Sequence, residues 1–333
     1  MLHNKRHEPR DLPKPIPKWY PPFRDDVPLA KRRQRDRQHF PWRYDMTLCL
    51  AALSIGSRTP PRDIQFALVT VTDERIETDV AGGNFGNKKK MVTHEHGWQA
   101  LWAGGEAEAD DLANTLKEVL EPKTFTFTNI VQKLSEAAAI HLKKLTERHV
   151  SAKLKIPFER FLTHGEHEVS ADVRNQLWYE IGHLDFGCEM LVSGFGNGMP
   201  LLFKIDDEGT VTRVEHFAAI GSGAKVAESV LYQRKQQATT ELNQTLYNVY
   251  EAFKLSSQIA PAVAGGPHIW LSEHELNNRA EIVEQCVTRS GLKVLDRCFK
   301  KYGPKEVKNI PVLKDDNLFT FPTKMIRDWF RPR

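Results

Sequence analysis

The chain has few cysteines, and they stand far apart. None of the four lies in a CxxC pair, so neither a disulfide framework nor a zinc site of that kind is indicated. Long apolar runs are missing as well, since stretches such as Leu48–Leu53 fall far below the ~18 residues that a membrane helix needs. The basic amino-terminal stretch is not followed by the apolar segment of a secretory signal. We therefore expect a cytoplasmic protein with reduced thiols and no membrane partner.

The net charge is unevenly distributed along the chain. The whole chain carries a formal charge of +4. Residues 1–45 hold 12 Lys and Arg against 6 Asp and Glu, together with 8 of the 19 prolines. The rest of the chain therefore has a small excess of acids and is close to neutral. The basic character belongs to the first 45 residues.

Residues 1–45 show no apolar periodicity. Such a segment cannot bury enough surface to offset the entropy of ordering it, which predicts a disordered leader. Its basic run 31–35, with aromatic residues on both sides, would suit a nucleic acid or an acidic partner. A solvated leader, a removable propeptide or translation from an upstream start codon explains it more simply, and in the last case Met46, directly before the first strand, would be the true start. We favour these explanations and expect no nucleic-acid partner.

Apolar patterns divide the following residues into strands and helices. Strands are predicted at 47–52, 66–72, 91–102 (a pair), 188–205 (a pair), 210–220 (another pair) and 268–271. Helical spacing predicts helices at 106–120, 128–148, 224–234 and 240–259. Two pairs of helices set between groups of strands imply two packed sheets with helices outside. We predict an α+β fold, a four-layer αββα sandwich of two antiparallel sheets.

Two stretches show weaker patterns. Residues 149–187 are mostly polar and are interpreted as an irregular insertion. The stretch from about residue 280 is interpreted as a helix at 282–286 followed by an irregular basic end. These patterns predict three parts: a leader over 1–45, a folded domain over 46–280, and a carboxy-terminal extension over 281–333.

Two motifs suggest ligands but have simpler explanations. The stretch 193–198, SGFGNG, lacks the Lys-Ser/Thr of a phosphate-binding loop and precedes a strand, so a β-hairpin turn is favoured. His94 and His96 would share a strand face, and His164 and His167 form a second cluster. No HExxH motif or cysteine cluster supports a metal site there. We expect no metal and no cofactor.

The first predicted strand offers two possible nucleophiles. Cys49 follows Thr47 by two residues, so both side chains would lie on the same strand face. Cys49 has no histidine close by in the sequence, and a buried strand cysteine is ordinary. We favour a core role for Cys49.

Thr47 belongs to an ordered set of residues at strand ends and turns. Taken singly, each member would more often be an ordinary strand-end or turn residue. Together they follow a fixed order along the chain: Thr47 at the head of the first strand, Asp73 and Arg75 after the second, Lys90 before a strand pair, Gly104 after it, and Ser222 in a Gly-Ser-Gly turn.

This ordered set resembles the proteasome β-subunit group of N-terminal-nucleophile hydrolases. The stretch MTLCLA is most similar to the bacterial ancestral-β-subunit (Anbu) branch. The region from LVSGFGNG to GSGAKVAESVL resembles the family's strand-turn-strand and its Gly-Ser-Gly entry into a helix. AVAGGPHIWLS resembles its last helix-to-strand turn. The resemblance covers roughly residues 46–275 and implies an N-terminal-nucleophile hydrolase fold, a peptide or other amide substrate, and a ring-like homo-oligomer.

The resemblance implies a threonine-type mechanism. Thr47 Oγ would be the nucleophile and its α-amine, with a pKa near ~7.7–8.0, the general base. Lys90, held by Asp73, would favour the ionised nucleophile, and Arg75 would support the site. The Gly104 amide would stabilise the oxyanion, and Ser222 would hydrogen-bond near the amine. This chemistry requires Thr47 to be the first residue of the mature chain.

Some positions depart from the family pattern. The connection between the first two strands is longer than usual in the family. The acid and serine that precede the family's last glycine turn fall on Pro261 and Ala264. Met46 stands where family propeptides have glycine before the threonine. These departures leave open a catalytically silent, scaffolding member of the same fold.

Overall fold

A computed structural model describes ten stretches of the 333-residue chain: 48–55, 66–73, 91–93, 98–120, 127–196, 198–260, 263, 265–274, 282–304 and 330–332. The leader predicted over 1–45 lies outside them. The strands are β1 Cys49–Ile55, β2 Phe66–Asp73, β3 Met91–Thr93, β4 Gln99–Gly104, β5 Cys188–Gly196, β6 Met199–Ile205, β7 Val211–Val214, β8 Phe217–Ile220, β9 Pro267–His274, β10 Ile282–Val287 and β11 Phe330–Pro332. The helices are α1 Glu106–Leu120, α2 Phe127–Leu154, α3 Phe158–Glu168, α4 Ala171–Ile181, α5 Ala224–Gln233, α6 Leu242–Ile259 and α7 Arg289–Tyr302.

The strands form two antiparallel sheets. The first sheet has the order β11-β10-β9-β2-β1-β8, and the second has the order β3-β4-β5-β6-β7. In the first sheet, Cys49 at the start of β1 lies between Thr72 of β2 and Ile220 of β8. In the second sheet, Gly104 at the end of β4 faces Cys188 at the start of β5. These two registers decide which residues meet at one end of the molecule.

The side chains around β1 alternate between two buried cores. Leu48, Leu50 and Ala52 pack on the helix side of the first sheet. Cys49 and Ala51 pack on the opposite face, against the second sheet. Alternation with a period of two is the expected behaviour of a strand, and here both faces are buried.

Three apolar cores separate four layers. One core lies between the first sheet and helices α5, α6 and α7. A second lies between the second sheet and helices α1 and α2. The third lies between the sheets and includes Leu68, Leu101 and Leu191. The predicted α+β, four-layer αββα sandwich is therefore confirmed.

Three predictions of local structure were wrong. Residues 149–187 are not irregular: α2 continues to Leu154, and α3 and α4 follow. Their helical pattern is weak in the sequence because they share a small core around Val150, Phe161 and Leu177 and expose most other side chains. The strands β7 and β8 were expected to pair, but the bend at 215–216 carries the chain from one sheet to the other.

The third error concerns residues 282–286, which form part of strand β10 and not a helix. Their β-branched residues favour a strand, and β10 pairs with β9 from Ile282 to Cys286. Helix α7 follows and packs Leu295 into the core on the first sheet. None of the helices in the described stretches combines the length and apolar character needed to cross a membrane.

Candidate active site

Three of the predicted site residues lie in elements that border the amino end of β1. The backbone amide of Asp73 donates to the carbonyl of Leu48 at 3.3 Å. The pairing of β1 with β2 brings these residues together, because its last pair joins Cys49 to Thr72. Asp73 is buried, with 3% of its surface exposed. Asp73 therefore lies at the end of β2 that adjoins the start of β1.

The turn that carries Ser222 also reaches the amino end of β1. Strand β8 pairs with β1 up to Ile220, and Gly221 follows with a φ of +88°, which glycine adopts without strain. A Cβ atom placed on Gly223 would lie 3.4 Å from the Cβ atom of Leu48. Ser222 itself is exposed. The turn therefore lies beside Leu48, with its hydroxyl-bearing residue at the surface.

The end of β4 approaches the same point from the second sheet. The Cys49 thiol donates to the backbone carbonyl of Trp102 at 3.1 Å, across the space between the sheets. Two residues later, Gly104 has a φ of +117°. A Cβ atom there would lie 2.7 Å from the Cα atom of Cys188 and closer still to the carbonyl oxygen of Gly187. This position accepts glycine alone without rearrangement.

Helix α1 starts directly after this glycine. The amide of Gly105 donates to the carbonyl of Gly187 at 2.8 Å, which closes the turn onto the loop before β5. Glu106 and Glu108 occupy the first turn of the helix, where the helix dipole favours acids. The turn therefore ties β4, α1 and β5 together next to the site.

The structure thus brings together three of the predicted site residues: Asp73, Gly104 and Ser222. Thr47, Lys90 and Arg75 lie outside the described residues, as do Pro261 and Ala264. Thr47 is bonded directly to Leu48, which contacts Asp73 and the Ser222 turn, and Leu48 is followed by Cys49, which contacts β4 two residues before Gly104. The hypothesis that all of these residues form one site stays a prediction.

Glu189 also lies at this end of the sandwich, and it was not among the site residues predicted from the sequence. Its Oε2 atom accepts a hydrogen bond from the amide of Gly221 at 3.2 Å, and its Oε1 atom lies 2.8 Å from Nζ of Lys204. The feature of the sequence that could have pointed to Glu189 is its place as an acid inside the apolar strand CEMLVSGFG. An acid in a strand that is otherwise buried needs a partner, but the sequence does not say which one.

The cysteines near the site are poorly suited to nucleophilic chemistry. Burial, aided by the negative charges of Glu108, Asp185 and Glu189, raises the pKa of the Cys188 thiol to about 12. Cys188 therefore stays protonated at neutral pH. Cys49 is fully buried in the inter-sheet core, and its thiol serves as a hydrogen-bond donor. The core role favoured for Cys49 agrees with this environment.

The glycine-rich stretch 193–198 is a hairpin connection. Strands β5 and β6 pair antiparallel until Gly196 faces Met199. Gly198 has a φ of +76°, as tight hairpin turns require, while Asn197 lies outside the described residues. The hairpin interpretation is confirmed.

Of the two histidine clusters, the described part of the chain includes the one at His164 and His167. His164 and His167 are exposed on α3, and His94 and His96 lie outside the described stretches. Among the described residues, no three histidine, cysteine or acidic side chains are arranged to hold a metal ion.

Comparison with a protein family supports the resemblance. The family model for the proteasome subunit matches residues 162–263. This segment runs from α3 to the end of α6 and includes Glu189 and the turn that carries Ser222. The resemblance to proteasome subunits, inferred from the sequence, is confirmed.

Some solved structures align with most of the chain at low sequence identity. They include Anbu from Hyphomicrobium sp. strain MC1, with a TM-score of 0.47, and an Anbu (Gly-1) mutant from the same strain, with a TM-score of 0.46. Each is 15% identical in sequence, and each alignment covers 77% of this chain and 94% of the other. No curated protein matches the chain.

Proposed function

We propose that this chain is a proteasome-like threonine-type hydrolase of peptide or other amide bonds, with Thr47 as its nucleophile. The observation that carries the proposal is that Asp73 and the Ser222 turn contact Leu48, the residue that follows Thr47, while β4 reaches the adjacent Cys49 two residues before Gly104. Three separate elements (the end of β2, the end of β4 and the turn after β8) supply these groups. The family match over residues 162–263 adds support.

In this proposal the chemistry begins with Thr47 Oγ. The oxygen attacks the amide carbonyl while its proton passes to the α-amine of the same residue. The Gly104 amide donates to the oxyanion that forms, an interaction often worth about 2.7–4 kcal/mol per donor. The amine then gives the proton to the leaving nitrogen, and water hydrolyses the resulting ester. Asp73 orients Lys90, which lowers the cost of ionising the hydroxyl.

The proposal has consequences for the state of the protein. The α-amine exists only when Thr47 is the first residue, so removal of residues 1–46, or a start at Met46 followed by methionine removal, must precede activity. A ring-like homo-oligomer and a cytoplasmic location follow from the family resemblance and form part of the proposal.

A catalytically silent scaffold of the same fold is the second candidate. Pro261 and Ala264 stand where the family has an acid and a serine that help hold the amine and its protons. Without those groups the site would keep its shape and lose its proton network.

The test is covalent labelling of the protein purified from cells that make it. Its amino-terminal residue is determined first, and the protein is then treated with a β-lactone probe. We expect a chain that begins at Thr47 and carries the acyl group on that residue, found by peptide mass spectrometry.

Two variants make the test specific. Thr47→Ala should abolish labelling, while Thr212→Ala, which removes an exposed hydroxyl on β7, should leave it unchanged. A purified chain that retains residues before Thr47, or one that begins there and resists the probe, would overturn the proposal in favour of the scaffold.

A further inference from the structure

We propose that Glu189 is a positioning residue of this site, acting through the backbone amide of Gly221 to fix the turn that carries Ser222. The inference rests on the proposed function, because the turn matters for catalysis only if Thr47 is the nucleophile. It concerns a residue that lies on the second sheet and acts on a turn of the first.

The direction of the Glu189 side chain follows from the pattern of β5. Its neighbours Cys188 and Met190 pack into the core between the second sheet and its helices. Leu191, two residues after Glu189, packs into the core between the sheets. Successive strand residues point to opposite faces, so the Glu189 carboxylate faces the first sheet. Within β5 it lies opposite Ala103, directly beside Gly104.

The two carboxylate oxygens have different partners. One accepts from the Gly221 amide at 3.2 Å and the other pairs with Lys204 at 2.8 Å. The side chains of Glu189 and Lys204 keep 29% and 30% of their surface exposed. The ion pair is therefore partly hydrated, and water can replace Lys204 at little cost. The hydrogen bond to Gly221 is the contact that reaches across to the other sheet.

The turn is held at both of its ends. Glu189 binds the amide of Gly221, and Ser256 Oγ on α6 donates to the carbonyl of Gly223 at 3.2 Å. The amide of Ala224 closes the turn onto the Gly221 carbonyl at 3.1 Å. Ser222 lies between the two anchors and is exposed. Removing one anchor should therefore loosen the turn that carries the Ser222 hydroxyl.

Because Glu189 and Gly104 lie on paired strands, one carboxylate links the two halves of the proposed site. The Gly104 side would bind the oxyanion, and the Ser222 side would hydrogen-bond near the α-amine. A displacement of about 1 Å at such a site can lower a rate by about a hundredfold. The role we propose is geometric, and it needs an acceptor oxygen at this position more than it needs a charge.

The test compares three substitutions of Glu189 in the form of the protein that begins at Thr47. Glu189→Leu removes the acceptor, Glu189→Gln keeps an acceptor oxygen without the charge, and Glu189→Asp keeps the charge on a side chain one methylene shorter. Glu136→Leu is the matched control, because Glu136 makes a lysine ion pair of the same 2.8 Å length with Lys133 on the surface of α2.

The readouts are the maximal acylation rate by the β-lactone probe, the probe concentration at half that rate, and the midpoint of thermal unfolding. We expect Glu189→Leu and Glu189→Asp to lower the maximal rate about ten- to a hundredfold with an unchanged half-saturating concentration. Glu189→Gln should stay within about threefold of the unsubstituted protein, and Glu136→Leu should match it. The unfolding midpoint should stay within a few degrees for Glu189→Gln and Glu189→Asp.

Each outcome has a definite meaning. Labelling of Glu189→Leu at the normal rate would overturn the positioning role and leave the proposed function intact. A loss in Glu189→Gln as large as that in Glu189→Leu would also overturn it, since the charge would then be the requirement. Should Glu189→Leu fail to fold, the pair Glu189→Asp and Glu189→Gln decides the question alone. An unsubstituted protein that the probe does not label at Thr47 overturns both proposals together.

Discussion

The amide of Asp73 donates to the carbonyl of Leu48 at 3.3 Å, and this bond closes the end of the β1–β2 pairing at the site. Seven residue pairs, from Cys49–Thr72 to Ile55–Phe66, precede it. A register slip of one residue would turn every buried β1 side chain to the wrong core. The apolar packing of both faces of β1 therefore fixes where the acid lies relative to the residue after Thr47.

Gly104 should tolerate no side chain. Its φ of +117° and the closeness of Cys188 and Gly187 predict that Gly104→Ala lowers the free energy of unfolding by about 2 kcal/mol or more. Gly182→Ala is the control, because its φ is −68° and its added Cβ would come no nearer than 3.4 Å to another atom. It should change stability by less than about 0.5 kcal/mol in urea unfolding. Equal effects of the two substitutions would refute the prediction.

The buried ion pair between Arg234 and Glu251 should be costly to break on one side. Both side chains are almost fully buried, and the Tyr247 hydroxyl adds a hydrogen bond to Glu251 at 3.2 Å. Arg234→Met would leave the carboxylate buried without its cation, which predicts a loss of about 3–5 kcal/mol.

The matched control for this pair lies on the surface of α2. Lys133→Met breaks the ion pair with Glu136, whose side chain is 48% exposed, and should cost less than about 1 kcal/mol. Denaturant unfolding of both variants makes the comparison. An Arg234→Met variant as stable as Lys133→Met would show that the buried pair does not hold α5 against α6.

The fold was predictable from the sequence because its periodicities are local. Alternation around Leu48–Leu53 and helical spacing in 106–120 each reflect one element and the core it faces. The strand at 282–287 was missed because its apolar pattern is short and its identity as a strand depends on pairing with β9. Helices α3 and α4 were missed because they bury few side chains.

The candidate site was predictable in part. Asp73, Gly104 and Ser222 come from strand ends and turns whose order along the chain could be compared with a family. Glu189 could not be found in this way, because its hydrogen-bond partner Gly221 lies on the other sheet. Its hydrogen bond depends on how the two sheets pack, which no pattern within β5 encodes.

Glu180 should contribute stability that disappears in acid. A hydrogen bond from Lys153, helped by bonds from His149 and Gln176, lowers the pKa of Glu180 to about 2. The folded pKa lies below the unfolded value of ~4.3, so the stabilisation is present above pH ~4.3 and is lost as the pH falls toward 2. Glu180→Gln should therefore be less stable than the unsubstituted protein at pH 7, and the difference should shrink between pH 4.3 and 2. An unchanged difference across this range in urea unfolding would contradict the prediction.

His141 should make the protein lose stability under mildly acidic conditions. It is fully buried on α2 against Phe186, and neither ring nitrogen has a hydrogen-bond partner among the described residues. Burial lowers its pKa to about 4; Asp111 on α1 opposes this shift, while Arg148 and Lys144 on the same helix reinforce it.

The sign of the effect of His141 follows from the proton balance. Between pH 4 and 6.5 the unfolded chain binds a proton at His141 that the folded chain does not. The free energy of unfolding therefore keeps its full value above pH ~6.5 and falls as the pH drops below it. The full loss is on the order of 3 kcal/mol by pH 4. His141→Leu should flatten this part of the stability profile relative to the unsubstituted protein. Urea unfolding at half-unit pH steps measures both profiles, and a His141→Leu profile parallel to that of the unsubstituted protein would show that His141 is not the group responsible.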